Sequence, residues 1–461
     1  MKIAVINGSP RGARGTSHQY IRFLSLQLPE HDFQVIEVAR RIRAIDGNEQ
    51  RLDEIVTQLE AADAVIWCYP VYLMVVPAQL QRFMELLARR RPALEGKPAT
   101  VVCSSAHFYD HTAHDFVRGV SADLGMSFVQ GFSGGMDDLK SEQGRRDVLG
   151  FGRNFLRHAG GQTAMDTPPA PVRPVTTSYT PGPVLEAEKA GGGRVVVISD
   201  AEPGDHNLCA MLDVLEASVS HRVDRLELAT LRMDGGCLGC MGCADDEVCG
   251  YKDGYAAAYD ALVAPADVVI WAGAVRGRFF SARMKMFIDR YFRHGHRPAS
   301  DKRQLVGYLV SGPLGQLAVM NEVLEANMQL GGGQRLGVVT DEAPDAEVTT
   351  ARLQSMASTV DAWLEQPWFS PATFLGVGGM KIFRDLVYEN RGMLTADHHF
   401  YRANGFYDFP QHNLRKRLFM GFILLCKKIP VLGKRLSKVM RKKGHPHADR
   451  ELLAAPVAQA R

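Results

Sequence analysis

The stretch MKIAVINGSPRGARGTS (residues 1–17) decides the fold of this 461-residue chain. Its run Ile3-Ala4-Val5-Ile6 is short and apolar, which predicts a strand buried in a parallel sheet. Residues 7–17, called the phosphate loop below, carry glycines, hydroxyl groups and two arginines. A loop of this kind before a helix can bind a phosphate, because its backbone N–H groups and the helix dipole point toward the anion.

The phosphate loop has neither the Gly-Lys-Ser/Thr ending of a Walker A motif nor the G-x-G-x-x-G dinucleotide fingerprint. Its pattern N-G-S-P-R…T-S resembles the loop of the flavodoxin-like NAD(P)H-dependent FMN reductases. The resemblance implies that the 5′-phosphate of FMN is held by Ser9, Pro10, Arg11, Thr16 and Ser17. The alternative is an ordinary Gly/Ser turn between a strand and a helix.

Strand and helix signals alternate along residues 1–160. The predicted strands lie at residues 3–6, 33–38, 64–69, 99–104 and 127–132. The predicted helices between them include residues 52–59, 78–90 and 113–124. Five strands with interleaved helices predict a doubly wound parallel sheet in an α/β fold, with ligands at the carboxyl ends of the strands.

The same pattern occurs twice. The stretch ADVVIW (residues 266–271) matches ADAVIW (residues 62–67), and the alignment continues without a gap, with Arg276 on Tyr72. The first strands are offset by 192 residues and this stretch by 204, so the second occurrence has twelve extra residues. We therefore predict two tandem flavodoxin-like domains with five-stranded parallel sheets, forming an internal pseudo-dimer that is free to oligomerise further.

Composition shifts set the predicted boundaries. We divide the chain into a first copy (residues 1–160), a Pro/Gly-rich linker (161–193), a second copy (194–366), an aromatic-rich extension (367–412) and a basic amphipathic tail (413–461). Residues 368–409 hold ten aromatic side chains, and this density predicts that the extension packs on the domains.

The resemblance also implies which residues contact the flavin ring. In that family the segment after the third strand lies against the isoalloxazine, and here it is Pro70, Val71, Tyr72, Leu73 and Met74. The loop after the fourth strand begins with Ser104 and Ser105, where the family often has Gly-rich sequence, so this third contact is the least defined. No residue stands out as a general acid or base.

The second copy has different chemistry in its first loop. Asp200, Glu202 and Asp205 occupy the positions where a phosphate would bind. Like charges at close range are unfavourable, especially in a partly dry site. We expect the second copy to keep the fold without binding FMN through this loop.

Four of the eight cysteines fall within thirteen residues of the second copy: Cys237, Cys240, Cys243 and Cys249. Soft thiolates at this spacing can bind one compact cluster, and the motif resembles that of iron–sulfur flavoproteins with a [4Fe–4S] cluster beside FMN. A tetrahedral zinc site and thiols without metal are the alternatives. The pseudo-dimer predicts that this loop faces the flavin site of the first copy.

The remaining cysteines and the nearby histidines are interpreted as structural. Cys68 and Cys103 lie at predicted strand ends, where a free thiol is usually a small buried apolar group. The spacing of His107, His111 and His114 suits a metal only if all three lie on one helix, and we expect surface or loop histidines instead.

The net charge of +3 hides an asymmetry. Residues 415–443 carry eleven Lys/Arg and no Asp/Glu, so the rest of the chain sums to −8. Residues 418–426 are apolar, and residues 414–443 together predict binding to an anionic membrane surface. Nucleic acid fits less well, because the charges alternate with Leu and Phe. Docking of the tail on the acidic body is the alternative.

These features predict a flavin-dependent oxidoreductase. It would move electrons between NAD(P)H or ferredoxin, FMN and a [4Fe–4S] cluster, with small molecules or proteins as donor and acceptor. The chain shows no signal peptide and no run of 18 apolar residues, so we expect a cytoplasmic protein, peripheral at the inner face of the membrane. The alternative from another class is a membrane-recruited, non-catalytic assembly protein with a structural zinc site.

Overall fold

The computed structural model describes residues 1–161, 167–184, 186–297 and 303–443. The chain divides into two compact units, Met1–Phe400 and Tyr401–Arg461. Both parallel sheets lie in the first unit. Within the described residues, no helix is long and apolar enough to cross a membrane.

The first sheet is built from six short strands. Their bounds are β1 (Lys2–Asn7), β2 (Asp32–Glu37), β3 (Ala64–Pro70), β4 (Pro98–Ser104), β5 (Ser127–Phe128) and β6 (Phe132–Gly134). The spatial order is β2-β1-β3-β4-β5, with β6 also paired to β4 and every pair parallel. This is the flavodoxin order, so the predicted doubly wound sheet is confirmed.

Burial explains why these residues form a parallel sheet. Ile3, Val5 and Ile6 are fully buried, because helices cover both faces of β1. The predicted fifth strand is interrupted: β5 ends at Phe128 and β6 begins at Phe132, and the Thr100 hydroxyl donates to the carbonyls of Val129 and Gln130 between them.

Six helices accompany the first sheet. They are α1 (Thr16–Gln27), α2 (Ile42–Ile45), α3 (Glu49–Glu60), α4 (Ala78–Arg90), α5 (Asp110–Asp123) and α6 (Glu142–Ala159). Helix α4 is strongly amphipathic in sequence, yet Gln79 and Gln81 are also buried. The polar face of α4 is therefore covered by another part of the molecule.

The second sheet repeats the first. Its strands are β7 (Gly191–Ser199), β8 (His221–Glu227), β9 (Val268–Arg276), β10 (Phe279–Phe280), β11 (Leu305–Ser311) and β12 (Gln334–Thr340). The order β12-β11-β9-β7-β8 is the same 2-1-3-4-5 arrangement, and the short β10 adds an antiparallel pair to β9. Strand β7 begins at Gly191, three residues before the predicted start at Arg194.

Nine further helices complete the described chain. They are α7 (His206–Ser218), α8 (Tyr255–Ala258), α9 (Ala282–Asp289), α10 (Ala318–Leu330), α11 (Ala346–Glu365), α12 (Phe374–Glu389), α13 (Thr395–Ala403), α14 (Leu414–Lys428) and α15 (Pro430–Lys443). Helix α12 belongs to the aromatic-rich extension. Its Phe383 stacks on Phe108 at 4.1 Å, and the Tyr109 hydroxyl donates to the Leu375 carbonyl at 2.5 Å. This part of the extension packs on the domains, as predicted.

The two copies meet through α4 and α9, which occupy equivalent positions in the repeat. The Asp289 carboxylate accepts from the Ala78 N–H at 2.7 Å, at the start of α4. The Glu85 carboxylate accepts from the Ala282 N–H at 2.6 Å, at the start of α9. The same pair of positions is therefore used in both directions, as in an isologous dimer interface.

Candidate functional site

The phosphate loop is organised by two side-chain oxygens. Asn7 Oδ1 accepts from the Ser9 N–H at 3.1 Å, and Ser9 Oγ accepts from the Arg11 N–H at 3.3 Å. A Cβ on Gly15 would lie 2.3 Å from Ser9 Oγ, so the loop closes too tightly for any side chain there. Arg11 is exposed and supplies positive charge beside the loop.

The loop leaves several donors free. No side chain caps α1, and among the described residues the N–H groups of Thr16, Ser17 and His18 have no acceptor. The Ser17 side chain is fully buried, and its hydroxyl makes no hydrogen bond to the described residues. Free amides at a helix N-terminus together with an unpaired buried hydroxyl form a donor set that fits a phosphate.

The predicted ring-contact segment forms a tight two-residue turn. The Tyr72 N–H donates to the Val75 carbonyl at 2.8 Å, and the Val75 N–H donates back to Tyr72 at 3.2 Å. Leu73 and Met74 take the left-handed conformation, with φ of 41° and 71°. Such backbone is costly for side chains other than glycine, so neighbouring groups must hold it in place.

Two side chains hold this turn by its carbonyls. The Thr112 hydroxyl donates to the Met74 carbonyl at 2.6 Å. From the second copy, Lys285 Nζ donates to the Tyr72 carbonyl at 2.9 Å. Among the described residues, the N–H groups of Leu73 and Met74 have no acceptor. The turn therefore offers two adjacent free donors, the kind of group that binds the carbonyl edge of a heterocycle.

Lys285 and Asp289 form a fully buried ion pair one helical turn apart on α9. Burial lowers the pKa of Lys285 and raises that of Asp289, and their mutual attraction opposes both shifts. The sequence analysis missed this pair. Its signal was present in the repeat, since Asp289 aligns with Glu85 at the same offset of 204 residues.

The loop after β4 lies beside the turn. The Val71 N–H donates to the Ser104 carbonyl at 3.0 Å, and the Ser105 N–H donates to the Gly134 carbonyl at 3.0 Å. Ladder pairing places Pro70 directly opposite Ser104. All the predicted cofactor residues thus gather at the carboxyl edge of the first sheet, where ligands bind in this fold.

The three nearby histidines do not form a metal site. His107 contacts Asp110 at 3.0 Å, His111 contacts Glu322 at 2.9 Å, and His114 contacts the Cys103 thiol at 3.1 Å. Burial raises the pKa of the Cys103 thiol to about 12, so the thiolate is disfavoured. His107 lies in a loop and His111 on the surface of α5, but His114 is half-buried on α5, so the expectation of a surface or loop histidine is wrong for His114.

The cysteine loop (residues 237–249) of the second copy lies against the first copy. Gln79 Nε2 donates to the Cys237 carbonyl at 3.2 Å, and Arg11 Nη1 donates to the Gly239 carbonyl at 3.4 Å. A Cβ on Gly239 would lie 2.2 Å from the Tyr72 hydroxyl oxygen. The cysteine loop therefore faces the first copy, at two residues that are predicted to contact the flavin, Arg11 and Tyr72.

A buried arginine anchors the approach to the cysteine loop. Arg290 pairs with Asp253 at 2.9 and 3.0 Å, and it donates to the Gly235 carbonyl at 3.1 Å. Its guanidinium also lies over the rings of Tyr251 and Tyr255, 4.5 and 4.8 Å from their centroids. Charge pairing and cation–π contacts together fix the segments on both sides of the loop.

The four thiols share one loop but do not form a closed ligand set. Cys240 and Cys243 lie near enough to Cys237 to contribute to the rise in the pKa of its thiol, and Cys249 contributes in the same way to the pKa of Cys243. Burial raises the pKa of the Cys237 thiol to about 12, and the Gly239 N–H at 3.4 Å acts in the opposite direction. Across the described ranges, no three Cys, His, Asp or Glu side chains are placed to hold a metal ion. The four thiols therefore lie near one another on one loop without surrounding a common point.

The corresponding loop of the second copy is filled by its own charges. Arg276 Nη2 lies 2.5 and 2.7 Å from the two Asp205 oxygens. Asp200 accepts from the Ser281 hydroxyl at 2.5 Å, and burial raises the pKa of Asp200 to about 6. An ion pair and a buried carboxyl thus fill the loop of the second copy that corresponds to the phosphate loop.

Comparison with known proteins places this geometry in context. Residues 1–135 match the NADPH-dependent FMN reductase family. An FMN-dependent NADH:quinone oxidoreductase of Vibrio vulnificus is 26% identical over 113 residues, which is 21% of this chain and 58% of that relative. The chain therefore spans less than two thirds of that protein. An iron-sulfur flavoprotein of Archaeoglobus fulgidus is 27% identical over 205 residues, 43% of this chain and 91% of the relative.

Among solved structures, the flavoenzyme NAD(P)H:(acceptor) oxidoreductase FerB of Paracoccus denitrificans is similar, with a TM-score of 0.30 and 16% identity. The alignment covers 34% of this chain and 97% of that one.

Proposed function

We propose, from the membership of residues 1–135 in the NADPH-dependent FMN reductase family, that this chain is a flavin-dependent NAD(P)H oxidoreductase with one FMN site, in its first copy. The observation that carries the proposal is the set of unpaired donors at the carboxyl edge of the first sheet. Free amides at the start of α1 and the buried Ser17 hydroxyl suit the phosphate. The free amides of Leu73 and Met74 suit the ring.

When bound, FMN supplies hydride and single-electron chemistry. The protein's part in the reaction is to position the cofactor. Arg11 and the first turn of α1 would neutralise the phosphate, while the Tyr72–Val75 turn would shield one side of the ring. Thr112 and Lys285 keep that turn in its left-handed conformation through their bonds to the Met74 and Tyr72 carbonyls.

The flavin site would be completed across the pseudo-dimer. The cysteine loop contacts Arg11 and Tyr72, one residue at each end of the proposed cofactor. This contact gives a reason for two copies in one chain. The second copy does not bind flavin in its own loop, but its cysteine loop forms one wall of the flavin site in the first copy. A linker keeps such a partner at high effective concentration.

We propose that the four thiols of the cysteine loop bind metal, with a [4Fe–4S] cluster favoured over zinc. The support is the four soft donors within thirteen residues and the partial similarity to an iron-sulfur flavoprotein. The thiol positions described above would have to close around the metal. We assign no reaction step to it.

Absorption spectra and cofactor analysis of the purified protein test the function. A flavin spectrum that bleaches on addition of NADH or NADPH is the expected result. A colourless protein that does not take up added FMN would contradict the proposal and would favour the non-catalytic alternative. NAD(P)H oxidation with a range of acceptors would then identify the acceptor class.

Metal analysis tests the cysteine loop separately. Protein purified without oxygen should contain iron and acid-labile sulfide, and each single Cys→Ser variant in the loop should lower both. Cys209→Ser, outside the loop, is the matched control. One zinc ion per chain without acid-labile sulfide would contradict the cluster and would indicate a structural zinc site.

A further inference from the structure

Helix α14 exposes most of its large apolar side chains, although Ile423 is half-buried. Leu418 is 75% exposed, Leu424 64%, Phe422 63% and Leu425 61%. A water-facing helix normally keeps such side chains on one covered stripe. Large contiguous apolar surfaces on a protein mark a site of interaction. The apolar segment of α14 (residues 418–426) therefore needs a partner.

Basic residues flank this apolar segment on both sides. Arg415, Lys416 and Arg417 precede it, and Lys427 and Lys428 follow it, all exposed. Helix α15 then adds Lys434, Arg435 and Lys438, also exposed. No Asp or Glu occurs anywhere from residue 414 to residue 443. The partner must therefore be both apolar and anionic.

Helices α14 and α15 meet at a bend, with only Ile429 between them. The Gly433 N–H donates to the Ile429 carbonyl at 2.8 Å, and a Cβ on Gly433 would lie 2.9 Å from the Lys427 carbonyl oxygen. This close approach at the bend needs glycine. Val431, at the start of α15, is 67% exposed and extends the apolar surface of α14.

The length of the apolar segment determines whether it can cross a bilayer or only lie in its surface. Nine apolar residues at a rise of about 1.5 Å each cover about 14 Å, less than half of the ~30 Å hydrocarbon core of a bilayer. The segment is too short to span but long enough to lie in the interface. Lysines and arginines at its ends can extend to the headgroups while their aliphatic parts stay with the acyl chains.

We propose that the helix pair α14–α15 is an in-plane anchor that inserts the apolar segment of α14 into the surface of a membrane rich in anionic lipids. The apolar side chains supply insertion, and the flanking basic side chains supply the preference for anionic headgroups. This anchoring does not depend on the proposed flavin site, since none of its residues belongs to that site.

Sedimentation with vesicles tests the anchor on the full-length protein. We expect it to bind vesicles of phosphatidylcholine and phosphatidylglycerol in equal parts and to bind pure phosphatidylcholine at least about tenfold more weakly. Leu418→Glu combined with Phe422→Glu should lower binding to the anionic vesicles at least about tenfold. Lys427→Glu combined with Lys428→Glu should remove the preference for anionic lipid.

Leu26→Glu is the matched control. Leu26 lies on α1, is 68% exposed, and should tolerate the change without loss of vesicle binding. Circular dichroism and flavin content should be unchanged in all three variants. Failure of the wild-type protein to bind either vesicle would overturn the proposal. So would vesicle binding that survives the Leu418/Phe422 double variant, or sedimentation velocity showing that this pair only abolishes self-association.

Discussion

At the end of the first strand, the two copies of this protein have opposite chemistry. In the first copy, β1 leads to free amides, an unpaired buried hydroxyl and two arginines. In the second copy, β7 leads to Asp200 and to the Asp205–Arg276 ion pair. The strand order around these loops is the same in both copies.

The interface between the copies has changed much less than the loops. Glu85 and Asp289 occupy equivalent positions, and each accepts from the first N–H of the other copy's helix. The repeat therefore keeps the contacts between the copies while the loops after β1 and β7 differ in charge. The comparison indicates that the interface and these loops are separate requirements on the same fold.

The largest loss of stability is expected on substitution of Asp289, the more deeply buried of the two carboxylates in the interface. Asp289→Ala would leave Lys285 without its counter-charge in a fully buried position and should lower the free energy of unfolding by about 3–5 kcal/mol. Glu85→Ala removes the equivalent hydrogen bond from a partly exposed carboxylate and should cost about 1–2 kcal/mol.

Urea unfolding of both variants measures this difference. Equal losses would mean that the two halves of the interface are energetically equivalent and that burial of the Lys285–Asp289 pair has no special role. Lys285→Met combined with Asp289→Leu removes both charges together and should restore much of the lost stability, because no unpaired buried charge remains.

The stability contributed by Asp200, in the first loop of the second copy, should depend on pH. Burial raises the pKa of Asp200 from 3.8 to about 6. Between these values the folded protein binds more protons than the unfolded chain, so the contribution of Asp200 to stability falls as the pH rises from 4 to 6 and is constant above. Relative to wild type, Asp200→Asn should gain about 2 kcal/mol between pH 4 and pH 8, since the unfolded carboxyl is already partly ionised at pH 4.

Denaturant unfolding of wild type and Asp200→Asn at the two pH values tests this sign. A difference that does not change with pH would mean that the carboxyl is ionised throughout, and the second copy's loop would then hold a full negative charge.

Glycine substitutions compare the two loops directly. Gly15→Ala places a Cβ 2.3 Å from Ser9 Oγ and should weaken FMN binding at least about tenfold, because the phosphate loop must open. Gly204→Ala lies in the second copy's loop, where a Cβ meets nothing within 4 Å, and should leave FMN affinity unchanged. Fluorescence titration of flavin-free protein measures both.

The smallest change in stability is expected at the Tyr72–Val75 turn. Thr112→Val removes the hydroxyl that donates to Met74 and Tyr109 while keeping the shape of the side chain. We expect a loss of about 1 kcal/mol in stability and a faster release of FMN, because the left-handed turn is held less firmly. An unchanged FMN dissociation rate would mean that the turn is held by Lys285 alone.

Much of this architecture follows from sequence. The alternation of apolar runs and the repeat at Ala62 and Ala266 predict both sheets, because strand burial leaves a strong local signal. The turn at residues 7–17 follows from its local Gly/Ser pattern, and the orientation of the cysteine loop follows from the repeat. The interruption between β5 and β6 does not, because it depends on hydrogen bonds from the Thr100 side chain.

Long-range contacts account for what the sequence did not predict. Lys285 acts on the Tyr72 carbonyl 213 residues away, and only the folded pseudo-dimer brings them together. The left-handed conformation of Leu73 and Met74 is likewise imposed by surroundings, since neither residue type favours it. The spacing of the four cysteines predicted shared chemistry but not their placement relative to one another.

The central claim is that only the first copy binds flavin. Isothermal titration of flavin-free protein with FMN tests it most directly. The account predicts one site per chain, a loss of binding heat in Gly15→Ala and unchanged stoichiometry in Gly204→Ala. Two sites per chain, or a single site that survives Gly15→Ala and is lost on changing Arg276, would contradict it.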